Sequence, residues 1–330
     1  MSLRREFPLQ SPASMTDTLR ILFAGSGEFG LPSLRALRQS GNALVQIITQ
    51  PDRPAGRGRQ TQPTPVAQWA LDNNLSLLRT ANINAEVLPP ADLLVVIAFG
   101  QKISPAVTDH AALGSINLHA SLLPKYRGAA PINWAIARGE TVSGNSVIRL
   151  AEKMDAGAIL GQSQIDIGAD ETAGELHDRL AETGAPLLQQ VIAALAAGAA
   201  TELPQDETLA TLAPKLSRAQ TALAWDKLTA GAGACLIRGF SPWPGCHVRL
   251  LDPEGVEHAR LGLMRARAVD AEPSTLPPGV IDANLRIRLA DPHRALEVLD
   301  VKPEGRGVMP LAAYRNGHPW QSAWKLESIV

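Results

Sequence analysis

Asn117 and His119 stand two residues apart in the run Ile116-Asn117-Leu118-His119. Alternate side chains of a strand share a face, so the amide and the imidazole project together while Ile116 and Leu118 point the other way. An amide N–H can stabilise a developing oxyanion, and an imidazole can move a proton. The same pair also suits a structural role, a structural Asn and a hydrogen-bonded core His. Asp155 lies in Lys153-Met154-Asp155-Ala156-Gly157, after the run Ser146 to Leu150. Aspartate before Ala-Gly is a common turn former; near His119 it would instead orient the imidazole and set its protonation.

Two further patterns carry possible chemistry. Gly25-Ser26-Gly27-Glu28-Phe29-Gly30 fits GxGxxG between a strand and a helix, with Asp52 near the end of the next strand, where a dinucleotide fold keeps its ribose-binding acid. Glycines at a first strand-helix turn also occur simply for tight packing, so NAD binding and packing both remain open readings. Gln50 to Arg59 is a Pro/Gly-rich loop holding Arg53, Arg57 and Arg59 with one acid. The planar fork of arginine pairs two phosphate oxygens at once; the competing reading is a solvated surface loop.

The remaining histidines show no HxxxH or other metal-ligand spacing, so no catalytic metal is expected. Cys235 and Cys246 form no CxxC pair and fit a reducing compartment. No apolar run reaches the ~18 residues of a membrane span. The 330 residues carry 31 Lys+Arg against 32 Asp+Glu, with 45% hydrophobic and 19% charged residues, values that exclude bulk disorder, a disulfide scaffold and a collagen-like fibre. With the charge balanced, any RNA partner must meet a local patch.

The elements that would position these groups fall into two textures. Leu19–Ala24, Ala43–Thr49, Asp92–Ala98 and Ser115–Ala120 read as strands, alternating with helical patterns such as Phe29–Ser40. Thr172 and Glu175 have capping-box spacing ahead of a helix, and Pro186 is read as opening another that runs to Gly198. This alternation predicts an α/β fold with a doubly wound, mostly parallel sheet, the carboxyl ends of its strands facing a ligand crevice. Beyond Trp225 short β-like runs punctuated by Pro and Gly predict a small barrel or sandwich. The expected divisions are a disordered extension over 1–18 with Met15 as a natural start, a catalytic domain over 19–205, a linker over 206–222 and a β-domain over 223–330. The β-domain holds 13 Lys+Arg and 12 Asp+Glu, so it is not basic overall.

FAGSGEFG (23–30), QPDRPAGRG (50–58), INLHASLLPKYRGAAPI (116–132), EKMDAGAIL (152–160) and FSPWPG (240–245) together closely resemble the methionyl-tRNA formyltransferases, within the wider family of 10-formyltetrahydrofolate-using enzymes. The resemblance runs from about Leu19 to the C-terminus. It implies a Rossmann-like domain that does not use NAD and a C-terminal barrel resembling an oligonucleotide-binding fold. It implies a catalytic triad at Asn117, His119 and Asp155, and a folate segment at Ser121, Leu122, Leu123 and Pro124 with Phe99 and Gly100 nearby. It places the tRNA acceptor arm against Arg53, Arg57 and Arg59. The implied acceptor is methionyl initiator tRNA, with 10-formyltetrahydrofolate as co-substrate, no metal, no membrane, a cytoplasmic location and a monomeric enzyme. The N-terminal extension and the near-neutral barrel depart from what that family would lead one to expect.

Overall fold

The computed structural model describes residues 18–55 and 60–329. Arg57, Arg59 and residues 1–17 of the expected extension lie outside the described residues. The first domain contains β1 (Arg20–Gly25), β2 (Ala43–Thr49), a ribbon of β3 (Arg53–Ala55) and β4 (Gln60–Gln62), β5 (Leu77–Arg79), β6 (Leu93–Ile97), β7 (Ser115–His119), β8 (Val142–Arg149) and β9 (Ile159–Asp166). Seven of these form one sheet in the order β5-β2-β1-β6-β7-β8-β9. The five strands from β5 to β7 run parallel, and β8 and β9 add antiparallel edges.

The central strands β1 and β6 are apolar almost throughout because both of their faces are covered. Ile21, Phe23, Leu93 and Val95 pack into one layer with α1 (Leu31–Gln39), α2 (Pro65–Asp72) and the long helix described below; Leu22, Ala24, Leu94 and Val96 pack on the other side near α3 (Pro105–Thr108). From β1 the chain winds outward through β2 to β5, then returns to lay β6 on the opposite side of β1. The winding therefore reverses between β1 and β6. A crevice opens at such a switch point, outside the carboxyl ends of the strands.

After α4 (Pro131–Ala137) and the two antiparallel strands comes α5, which runs unbroken over Ala173–Ala196. The expected break at Pro186 does not occur. A capping box at Thr172 and Glu175 starts the helix, and Leu176, Leu180, Leu187, Leu188, Val191 and Leu195 bury one face. Pro186 lies on the exposed side. Its missing N–H leaves only the carbonyl of exposed Glu182 unbonded, which water can satisfy.

The second domain comprises α6 (Ala230–Gly239), β10 (Cys246–Leu251), β11 (Glu257–Asp270), β12 (Ile287–Arg288), β13 (Arg294–Pro303), β14 (Met309–Pro310), α7 (Leu311–Tyr314) and β15 (Lys325–Ile329). Its sheet is antiparallel in the order β12-β13-β11-β10-β15, with β14 beside β13. The segment 279–281 draws the two ends together. Gly279 N–H donates to Arg288 and Ile281 N–H to Trp324, while Leu326 N–H donates back to Gly279. The result is a nearly closed barrel around Val248, Leu250, Leu263, Ile281, Leu296 and Leu326, capped by α6.

The FSPWPG turn sits at the seam between the domains. Ser241 accepts from Gly174 N–H at 3.1 Å, Phe240 meets Trp134 edge-on at 5.6 Å, and Trp243 stays 61% exposed.

Candidate active site

β7 carries the central pair. Its neighbour β8 holds Ile148 opposite Asn117 and Ser146 opposite His119, in a regular antiparallel register. Asn117 and His119 therefore share one face near the carboxyl end of a central strand. Asn117 is half-buried, with no side-chain hydrogen bond among the described residues. The His119 side chain is only 7% exposed. Its Nε2 lies 2.9 Å from the Tyr126 carbonyl, an oxygen that can only accept, so Nε2 carries the proton. Nδ1 then presents its lone pair toward Asp155, whose Oδ2 is 3.7 Å away. That separation is too long for a direct hydrogen bond.

Asp155 occupies the tip of the turn between β8 and β9, at φ 54°. Its carboxylate, 13% exposed, accepts from the Gly128 N–H at 2.8 Å. Gly128 has φ +125°, and a Cβ there would lie 2.5 Å from the Ala213 carbonyl oxygen, so only glycine fits between the loop and the chain behind it. The structure thus brings Asn117, His119 and Asp155 together, from residues spread over 39 positions of the chain.

The loop Ser121–Pro124 follows directly. Ser146 Oγ donates to Ser121 O at 2.6 Å and accepts from Leu123 N–H at 3.0 Å; Gln162 Nε2 donates to Leu123 O at 3.0 Å. Ser121 Oγ donates to Lys125 O at 2.7 Å. These polar groups are committed to holding the loop in shape, while the side chains of Leu122 and Pro124 are half-buried. Phe99 is a core residue at 2% exposure, packed beneath the crevice. Its carbonyl accepts from Gln50 Nε2 at 2.7 Å, and Gly100 follows it on the surface at φ +76°.

The glycine turn has a packing explanation. A Cβ at Gly25 would meet the Phe23 ring at 2.7 Å and the Ile97 carbonyl oxygen at 2.8 Å, so this glycine lets β1 and β6 close. Asp52 is tied to Arg79 at 2.8 Å, and Ser26 Oγ accepts from the Gln50 N–H. The acid that a nucleotide ribose would need is thus already engaged. Arg53 stands exposed on the ribbon and donates to Gln50 Oε1. Among the described residues there is no cluster of three His, Cys, Asp or Glu side chains fit for a metal ion, and no helix long and apolar enough to cross a membrane.

The interdomain connector contributes what sequence reading missed. Buried Arg127, 4% exposed, is gripped by Gln205 and Glu207. Glu207 also accepts from Lys153, and these two cations hold its carboxyl down at about 2. Arg127 N–H donates to Thr211 O at 2.8 Å, and Ala213 N–H returns a bond to Arg127 O at 2.7 Å. Tyr126 donates its hydroxyl to Glu140 at 2.8 Å; burial, and then this carboxylate, push it up to about 12. It therefore stays protonated at neutral pH and serves as a strut. No periodicity marks 204–213; its one local signal is the short polar run Gln205-Asp206-Glu207-Thr208.

With this geometry in hand, the relatives are informative. Residues 19–192 match the formyl transferase family and residues 215–319 match the formyl transferase C-terminal domain. The chain is 39% identical over 310 residues to the methionyl-tRNA formyltransferase of Moorella thermoacetica, covering 91% of this chain and 97% of that protein. It is 37% identical over 306 residues to that of Methylococcus capsulatus, with the same coverage of 91% and 97%. The fold is shared with a crystal structure of WlaRD, a sugar 3N-formyl transferase, at a TM-score of 0.63 and 17% identity, over 88% of this chain and 99% of that one. Strand order, niche and relatives agree, and the chain belongs to the formyl transferase family, among the methionyl-tRNA formyltransferases.

Proposed function

We propose that this protein transfers the formyl group of 10-formyltetrahydrofolate to the α-amino group of methionyl initiator tRNA, giving the N-formylated tRNA used to start translation. The observation that supports the chemistry is that Asn117 and His119 share one face of β7, with the Asp155 carboxylate 3.7 Å from His119 Nδ1 and no partner for the Asn117 side chain among the described residues. The co-substrate is assigned to the switch point between β1 and β6, with Leu122 and Pro124 as an apolar wall and the backbone of Phe99 and Gly100 as a polar edge.

The residues divide the work by their hydrogen bonding. Asn117 donates its amide N–H to the oxyanion that develops as the amine nitrogen bonds to the formyl carbon. His119 cannot use Nε2, which the Tyr126 carbonyl holds, so Nδ1, 3.7 Å from Asp155, is the nitrogen left to exchange a proton with the reacting atoms. That nitrogen takes the proton the attacking amine releases and delivers it to the departing N10. The Asp155 carboxylate, 3.7 Å away, balances the imidazolium formed between these two transfers. One proton leaves the amine and one arrives at N10, so the protein ends as it began.

Arg53 on the ribbon, together with Arg57 and Arg59, is assigned to phosphates of the acceptor arm, and the barrel over 223–330 to the body of the tRNA. The enzyme is read as a cytoplasmic monomer. The deciding experiment is single-turnover formylation with methionyl initiator tRNA, methionyl elongator tRNA and free methionine offered in parallel. Transfer confined to the initiator supports the reading. Consumption of the co-substrate without formylated tRNA overturns the acceptor.

A further inference from the structure

We propose that Gln205, in the connector between the domains, is a positioning residue for Asp155 and, through it, for His119; this deepens the formyl-transfer reading and rests on it. Gln205 reaches the backbone of the Asp155 turn. Its Nε2 donates to the carbonyls of Asp155 and Gly157, each at 2.8 Å. Its Oε1 accepts from Arg127 Nε at 3.0 Å and Nη2 at 2.7 Å. The amide has one workable orientation, since a flip would set donors against a guanidinium and an oxygen against two carbonyls.

The turn needs such support. Asp155 at φ 54° lies in the left-handed region, which Asp enters more readily than most residues with a Cβ but which needs bonds at the turn to fix it in place. Gln205 grips the backbone at and just beyond that residue, while Gly128 N–H holds the carboxylate from the other side. The two grips share a base. Gly128 follows Arg127, and Arg127 is the partner of Gln205. His119 draws on the same base, because its Nε2 bonds to Tyr126, the residue before Arg127. One amide therefore joins the Asp155 turn to the loop that orients His119. Neither its type nor its place assigns it contact with substrate.

The test uses the full chain with Gln205→Glu, Gln205→Met and Asp155→Asn. Glutamate keeps an acceptor for Arg127 but offers the two carbonyls no donor at neutral pH. Methionine removes the donors without adding charge. His119 is read directly, as the imidazole nitrogen resonance lost in His119→Asn, among the seven histidines of the chain. The expected result is that in both Gln205 variants this resonance moves in the direction seen in Asp155→Asn. In formylation, kcat should fall about 10- to 100-fold while both KM values stay within about threefold. In the Asp155→Asn background the Gln205 variants should add little further loss. A purely structural grip on Arg127 predicts instead that Gln205→Glu behaves as wild type. A wild-type His119 resonance in folded Gln205→Glu and Gln205→Met overturns the proposal, whatever the rates. If the unaltered enzyme formylates no tRNA, the functional reading falls, while the resonance comparison still decides the positioning role.

Discussion

Replacing His119 with alanine should separate two contributions that the structure places on one side chain. The imidazole is 7% exposed, and its Nε2 bond to Tyr126 is the described partner of that carbonyl, in a residue itself only 6% exposed. Truncation leaves a buried acceptor unsatisfied, at about 1–3 kcal/mol. For a domain of this size that lowers Tm by about 2–12 °C, which leaves the protein folded at 25 °C because total stability is about 5–15 kcal/mol. Turnover loses general acid-base help, about 10²–10⁴-fold. Asn117→Ala provides the contrast. Its amide is half-buried with no described partner, so stability should change by no more than about 0.5 kcal/mol, while loss of an oxyanion donor costs about 10²–10³ in rate. The assay is single-turnover formylation with enzyme in excess, beside thermal unfolding of each variant. Two results would refute the reasoning: near wild-type turnover in His119→Ala, or a Tm drop in Asn117→Ala as large as in His119→Ala.

Three other expectations follow from the same geometry. Arg53→Ala should weaken tRNA binding and flatten its salt dependence, because each phosphate contact releases counterions; equal slopes for wild type and variant would remove Arg53 from the interface. Gly128→Ala should depress both Tm and kcat, since the new Cβ starts 2.5 Å from the Ala213 oxygen at φ +125°, and a wild-type melting curve would contradict the close packing of loop on connector. Glu207, held down to about 2 by Arg127 and Lys153, contributes stability that is present above the ordinary glutamate range and lost as pH falls through about 2. The Tm difference between wild type and Glu207→Gln should accordingly be flat from pH 8 to 5 and shrink in stronger acid; a difference that varies within the neutral range would point to another group.

What was legible in the sequence follows from how local each signal is. Strand alternation at Ile116–His119 depends only on neighbouring residues, and it put both polar groups on one face. Apolar runs such as Leu93–Ile97 marked strands buried on both sides. The break expected at Pro186 failed because the apolar face of α5 is continuous through it and the proline sits on the exposed side. The glycine turn was ambiguous for a different reason: tight packing and phosphate approach demand the same residue, and only the Phe23 and Ile97 contacts at Gly25 separate them. Gln205 and Glu207 were invisible because their meaning lies about 50 residues away, at Asp155 and Lys153.

The bonds from the connector to the site stand beside a second set that fastens the two domains to each other. The barrel is fastened to the catalytic domain at several points. Asn133 Nδ2 donates to Gly239 O at 2.8 Å, and Arg238 reaches the Glu171 carbonyl at 3.2 Å. Arg265 spans the seam between Glu175 at 2.6 Å and Asp300 at 2.8 Å, and its guanidinium holds Glu175 below the usual glutamate range. Glu175 is also half of the capping box that starts α5. Opening this seam would cost Glu175 its Arg265 partner and leave the Thr172–Glu175 cap intact, whereas the site is braced by residues 205–213. Those residues hold Arg127, and Arg127 stands between the loop bonded to His119 and the amide bonded to the Asp155 turn. The seam contacts and the bonds that hold the Asp155 turn and His119 are thus two separate sets, joined along the chain of the connector.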